Sequence, residues 1–309
     1  MISFDVGLLL ETLESFPGLQ RKDWELNQSG ADRGMEAVLI QRAPRELATY
    51  ALCRLRLAAM PELLESCCEP APGTPETQAL LEWARSQGAG GTALVNLITQ
   101  QLENARRTEA TQAALASLKY YRWREDPNPT VKTHWTEDGL DRVASLNTGR
   151  LAKYPTRGAF WAGKFYTVKR LVAHVRTAAF ESLDDESLPR SLRSINGVGE
   201  QTAAMVMLFW LGRPVPIIDS YLLYLLQDHG LVPASFSGGA GDRAALRLHL
   251  VQGARKLEAR RANWPAARAF SCLYLWACEI RRLHCRCRTG APSSCPVRAR
   301  IKHMGGNQS

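Results

Sequence analysis

No run of 18 residues in this 309-residue chain is both apolar and uncharged, which excludes an ordinary membrane-spanning helix. The first apolar stretch has no basic segment ahead of it either. "MISFDVGLLLETLESF" carries Asp5, Glu11 and Glu14, and a secretory leader would not. Secretion is therefore not expected, and the eight cysteines read as thiols or metal ligands rather than disulfides. The chain also lacks internal repeats, low-complexity tracts and any series of alternating strand-like segments, so solenoid and sheet architectures are not expected.

What is present is a globular composition, 45% apolar and 22% charged, in a chain long enough for two compact lobes. The net charge is +9 and the sequence pI about 9.3. A basic balance suits a polyanion, nucleic acid first among them, although a merely basic surface gives the same sum. The distribution favours the polyanion. Acids are common in the first 80 residues, whereas cations crowd from Arg255 onward, ending in Arg281, Arg282, Arg286, Arg288, Arg298, Arg300 and Lys302.

Helical spacing of apolar residues recurs in "RELATYALCRLRLAAMPELLESCC", "TQALLEWARSQ", "ALVNLITQQLENARRTEATQAALASL" and "FYTVKRLVAHVRTAAFESL". The fold class is all-α. Breaks fall at Glu69–Glu76, Arg124–Gly139 and Pro233–Asp242. "SLPRSLRSINGVGEQTAAMVMLFWLG" reads as helix, tight turn, helix. Ser187 and Pro189 suit a helix start, Gly197 and Gly199 release the turn, and Gly212 with Pro214 stops the second helix near Leu211. Such a turn aims backbone N–H groups outward at a helix start, where a phosphate oxygen can be held without sequence preference. An ordinary αα-hairpin with a glycine turn is the plainer interpretation of Gly-Val-Gly alone.

"INGVGEQTA" followed by "PIIDSY" resembles the helix-hairpin-helix, Gly/Pro-rich loop and aspartate signature of the DNA glycosylase superfamily that includes endonuclease III and the adenine glycosylase of mismatch repair. "LVNLITQQLENARRTEA" is similar to that family's early helix ending in Gln-Gln, and "FWAGKFYTVKRLVAHV" to its Gly-x-x-Tyr helix. The similarity runs from about Gln78 to His303; residues 1–74 have no assigned counterpart. It implies two helical lobes with a DNA-binding cleft. One is a six-helix barrel lobe over 90–222 that holds the hairpin. The other is an iron–sulfur lobe built from 75–89 and 223–303, and 304–309 forms a tail.

The resemblance places the catalytic carboxylate at Asp219, eighteen residues after Gln201. A carboxylate beside the sugar stabilises the positive charge that develops as an N-glycosidic bond breaks, and can orient the attacking water. The apolar frame of Pro216, Ile217, Ile218 and Leu222 would strengthen that interaction and also raise the acid's pKa. Asp219 equally suits an N-cap for "SYLLYLLQDHG", and both roles are compatible. Bifunctional relatives carry a lysine at the position of Gln201; an amide cannot form a Schiff base, so the strand should stay whole. Neither Lys164 nor Lys169 has the spacing to replace it. The adenine-specific branch carries a glutamate where this chain has Asn96, which leaves methylated purines, or uracil or thymine opposite guanine, as expected targets.

The hairpin's DNA contacts are expected from Asn196, Gly197, Val198, Gly199, Gln201 and Thr202. Gln101 is the expected wedge filling the space of the extruded base, or else a surface amide. Trp161, Phe165, Tyr166 and Tyr221 are candidates to line the base pocket and stack on the base, with Tyr166 and Tyr221 taken as its residues; aromatics at helical spacing more often belong to a core, and that applies to each of the four.

In the tail, Cys278, Cys285, Cys287 and Cys295 suit a [4Fe–4S] cluster or a zinc site, or hold no metal. The gaps of six, one and seven residues depart from the family's six, two and five, and His284 is a weak substitute ligand. The basic loop between the cysteines would meet phosphates. Cys53, Cys67, Cys68 and Cys272 read as ordinary thiols. The expected function is a monofunctional glycosylase of base excision repair acting on double-stranded DNA as a monomer, cytoplasmic and nucleoid-associated if bacterial. The rival is a DNA-binding protein on the same scaffold without catalysis; a weaker one is a helical interaction protein with a zinc knot.

Overall fold

A computed structural model describes residues 4–15, 30–41, 45–60, 75–86, 135–148, 161–233 and 235–283, with residues 2, 43, 92, 95, 96 and 99. The described residues are mostly helical, with no strand among them, as the apolar periodicity predicts. No helix among them is long and apolar enough to cross a membrane. The chain divides into two compact units, one of residues 1–26 with 207–309, the other of residues 27–206.

In the first unit, α1 (Val6–Glu14) joins α10 (Ser220–Asp228), α11 (Ala240–Arg260) and α12 (Ala266–Leu283). Helix α1 begins at Asp5, whose Oδ1 accepts from the Leu8 N–H at 3.0 Å, and it buries Leu9, Leu10 and Leu13 completely. Helix α1 packs on α11 and α12, and α12 packs on α10. Gly253 lets α1 approach α11, because a Cβ there would run into the Val6 side chain. The core closes around Leu226, Leu246, Leu250, Trp264 and Trp276, the two indoles meeting edge to face at 6.2 Å.

The second unit is organised on α2 (Gly30–Leu39), whose residues 31–39 are all buried. Around it pack α3 (Arg45–Ala59), α6 (Trp161–Val175) and α9 (Glu200–Met205). Helix α4 (Pro75–Ser86) starts inside the expected 69–76 break, and α5 (Glu137–Ser145), capped by Thr136, starts at the end of the expected 124–139 break. A helix buried on every side has to satisfy its polar residues internally. Asp32 does so, accepting from Arg56 and from the Trp135 indole N–H, both at 2.7 Å. The stretch "FYTVKRLVAHVRTAAFESL" is two helices rather than one. Helix α6 ends at Val175, and Thr177 caps α7 (Ala178–Glu181) by accepting from Phe180 N–H at 3.3 Å.

The hairpin follows as α8 (Leu188–Arg193), the turn Ser194–Gly199, and α9. The second helix does not run to Leu211 as a single α-helix: beyond Met205 it loosens into a π-helical turn, Val206–Trp210. Gly212, at φ +65°, then stops it.

Candidate functional site

The turn between α8 and α9 is anchored by its apolar residues. Ile195 and Val198 are buried, while Asn196, Gly197, Gly199, Glu200 and Gln201 are exposed. Val198 N–H donates to the Ile195 carbonyl at 3.0 Å, and Ala203 N–H to the Gly199 carbonyl at 2.9 Å. Gly197 adopts φ +92°, and a Cβ there would fall 2.5 Å from Thr167 Oγ1; both facts require glycine. Gly199 corrects the sequence reading. Its φ is −86°, open to any residue, and a Cβ there would meet nothing. Its missing side chain leaves room in front of α9 and is not needed to make the turn.

Two residues with no motif of their own support this turn. Thr167 Oγ1 on α6 donates to the Asn196 carbonyl at 3.0 Å. The Gln41 side-chain amide donates to the Gly197 carbonyl at 3.0 Å and to Thr202 Oγ1 at 2.8 Å. Thr202 is accordingly buried and engaged within the protein, whereas Gln201 is exposed on the first turn of α9.

Asp219 lies in the other unit, ahead of α10, behind the buried residues Pro216, Ile217 and Ile218. It is 3% exposed. Its Oδ1 accepts from Leu222 N–H at 2.9 Å, the N-cap bond that its position suggests. Its Oδ2 is buried with no hydrogen-bond partner among the described residues. Burial pushes the carboxyl up to about 6, against the pull of the Leu222, Tyr221 and Asp219 N–H groups and of the Arg243 guanidinium. Arg243 is a residue the sequence reading missed. Its Nε donates to the Gly238 carbonyl at 2.7 Å and its Nη1 to the Ile218 carbonyl at 3.3 Å, tying the 233–242 loop to the strip before Asp219. Asp242 braces the same loop by accepting from the Ser237 and Gly238 N–H groups.

The remaining expected residues fall in several places. Tyr166 and Tyr221 are 52% and 43% exposed and belong to different units, while Trp161 and Phe165 are core residues. Lys164 is buried, its amine bound to the Leu39 carbonyl at 2.7 Å and pulled down to about 8 by that burial; Lys169 donates to the Leu146 carbonyl at 3.2 Å. Asn96 is exposed. Cys278 is half-buried on α12. Gln101, His284, Cys285, Cys287 and Cys295 lie outside the described residues, as do Cys67 and Cys68. Among the described residues no group of three or more His, Cys, Asp or Glu side chains is placed to hold a metal ion.

Compared with known protein families, curated proteins and solved structures, the chain matches none.

Proposed function

We propose that this chain is a monofunctional DNA glycosylase of the helix-hairpin-helix architecture. It would hydrolyse the N-glycosidic bond of a methylated purine, or of uracil or thymine opposite guanine, in double-stranded DNA. The observation that carries the reading is Asp219. Folding holds this carboxylate out of water with one oxygen fixed by the cap bond and the other without a partner among the described residues. A buried acceptor left open costs stability, and such costs concentrate where a charge is used. The function fits the chemistry. As the base leaves, the sugar gains positive charge at C1′, a carboxylate nearby stabilises it, and water adds to the same carbon.

With its carboxyl at about 6, Asp219 is ionised in about nine molecules of ten at pH 7. The hairpin supports the reading because its carbonyls at Asn196 and Gly197 are drawn into the protein, leaving exposed backbone and a bare Gly199 for a phosphate. The missing nucleophile supports it too: Gln201 is an amide, and the amines of Lys164 and Lys169 are each bound to a backbone carbonyl. Cys278, with Cys285, Cys287 and Cys295, would hold the [4Fe–4S] cluster, whose role when bound is to brace the basic tail against phosphates.

The test is base release from a panel of duplexes bearing methylated purines, uracil, mismatched thymine and oxidised bases. Release should occur with strand breaks appearing only after alkali. Adduct trapping by borohydride would exclude the monofunctional mechanism, and a panel without any release would exclude the enzyme.

A further inference from the structure

Gln41 follows α2 and reaches a hairpin 156 positions later in the chain. Its amide nitrogen has two hydrogens, one given to the Gly197 carbonyl and the other to Thr202 Oγ1. A carbonyl oxygen can only accept, so the nitrogen of this amide must face Gly197, whichever way the group is drawn. One side chain thereby joins the apex of the turn to the first turn of α9. Thr167 pins the preceding peptide through Asn196.

The described peptide bonds are trans, so each N–H points away from the carbonyl of its own peptide. Holding the Asn196 carbonyl inward turns the Gly197 N–H outward. Holding the Gly197 carbonyl fixes the next peptide, whose N–H, that of Val198, closes the turn on Ile195. Without these two donors the Asn196 and Gly197 carbonyls are released. They could then rotate toward solvent and set partial negative charge where a phosphate is to sit.

We infer that Gln41 is a positioning residue: its side-chain amide holds the hairpin backbone in the orientation that grips a phosphate of duplex DNA. The inference rests on the DNA-binding reading above. It gives Gln41, which belongs to no recognisable motif, a direct part in that grip. Gln41 is only half-buried, so its bonds can be removed without opening the core.

The experiment measures binding of a fluorescent undamaged duplex by anisotropy over a salt series, with melting temperatures for each protein. Gln41→Met keeps the length of the side chain and removes the donor. Gln41→Glu keeps the shape but sets a carboxylate oxygen against the Gly197 carbonyl; Thr202 can turn its hydroxyl to donate, and the carbonyl cannot respond. We expect Q41M to bind about fivefold to tenfold more weakly and Q41E more weakly still. The slope of log affinity against log salt should stay that of the wild type for Q41M, because the grip is made by neutral backbone N–H groups and no cation is removed, with melting temperatures near that of the wild type.

Binding by Q41M equal to wild type would overturn the inference and leave the DNA reading standing. A loss that only tracks a smaller folded fraction would overturn it as well. Wild-type protein that fails to bind the duplex at all would overturn both.

Discussion

Asp32 on α2 and Asp219 ahead of α10 are withdrawn from water to nearly the same degree, 1% and 3% exposed, and the chain treats them in opposite ways. Asp32 has both oxygens engaged. Arg56 takes one and the Trp135 indole the other, and the guanidinium also lies 5.1 Å from the ring centre of that indole. Asp219 has one oxygen engaged by a backbone N–H, while Arg243, the cation that acts on it, spends its hydrogen bonds on the Gly238 and Ile218 carbonyls. Burial alone therefore does not distinguish the proposed catalytic carboxylate from a structural one. The distinction lies in what is left over once the fold has taken its share: nothing at Asp32 that the unit can spare, and one oxygen at Asp219.

Activity should separate the two acids by the largest margin. Asp219→Asn keeps a competent cap and the side-chain volume while removing the charge. Turnover on the responsive duplex should fall by about 10³-fold, measured under single-turnover conditions, with duplex binding retained. Asp32→Ala should do the reverse. Removing one partner of a buried pair takes the compensating carboxylate from the Arg56 guanidinium and should cost about 3–5 kcal/mol by urea denaturation, with loss of activity only where the protein has unfolded. If Asp32→Ala were instead folded and inactive, the roles assigned to the two acids would be exchanged.

The same contrast predicts a stability gain. The Asp219 carboxyl stands at about 6 in the folded protein, above the ordinary aspartate value, so between about pH 4 and 6 the folded state holds a proton that the unfolded chain releases. The sign follows: stability on this account is greatest below about pH 4 and is lost as pH rises through about 6. Asp219→Asn should therefore be more stable than wild type at pH 7.5, by about 2–3 kcal/mol, with the difference gone near pH 4. In wild type the rate should level off above about pH 6.5 and drop about tenfold for each pH unit below 6, as the carboxylate is protonated. A flat profile between pH 5 and 7 would separate Asp219 from the chemistry.

Much of this was legible in the sequence, and what was missed has a common cause. The hairpin, the stop at Gly212 and the cap at Asp219 are written in Gly, Pro, Ser and Asp at short spacings, and local backbone rules govern them. The break at Arg176–Thr177 was hidden because apolar periodicity continues across it, and a threonine cap is a weaker signal than proline. Gly-Val-Gly offers two turn glycines, and only the dihedrals show that Gly197 alone of the two needs the left-handed region. Gln41, Thr167 and Arg243 left no mark at all. Each acts by donating to carbonyls 25 to 156 positions away, Gln41 and Thr167 on the hairpin and Arg243 on Ile218. A carbonyl, being present at every residue, carries no sequence signature.

The smallest effect separates the observed cap bond of Asp219 from its proposed part in the chemistry. Asp219→Ala removes the charge and the cap together, whereas Asp219→Asn removes the charge alone. The two variants should be equally inactive and should differ in stability by about 1 kcal/mol in favour of asparagine, the ordinary worth of an N-cap. Oδ1 would then belong to the fold and Oδ2 to the chemistry. If the variants were equally stable, the Leu222 bond would contribute nothing to α10.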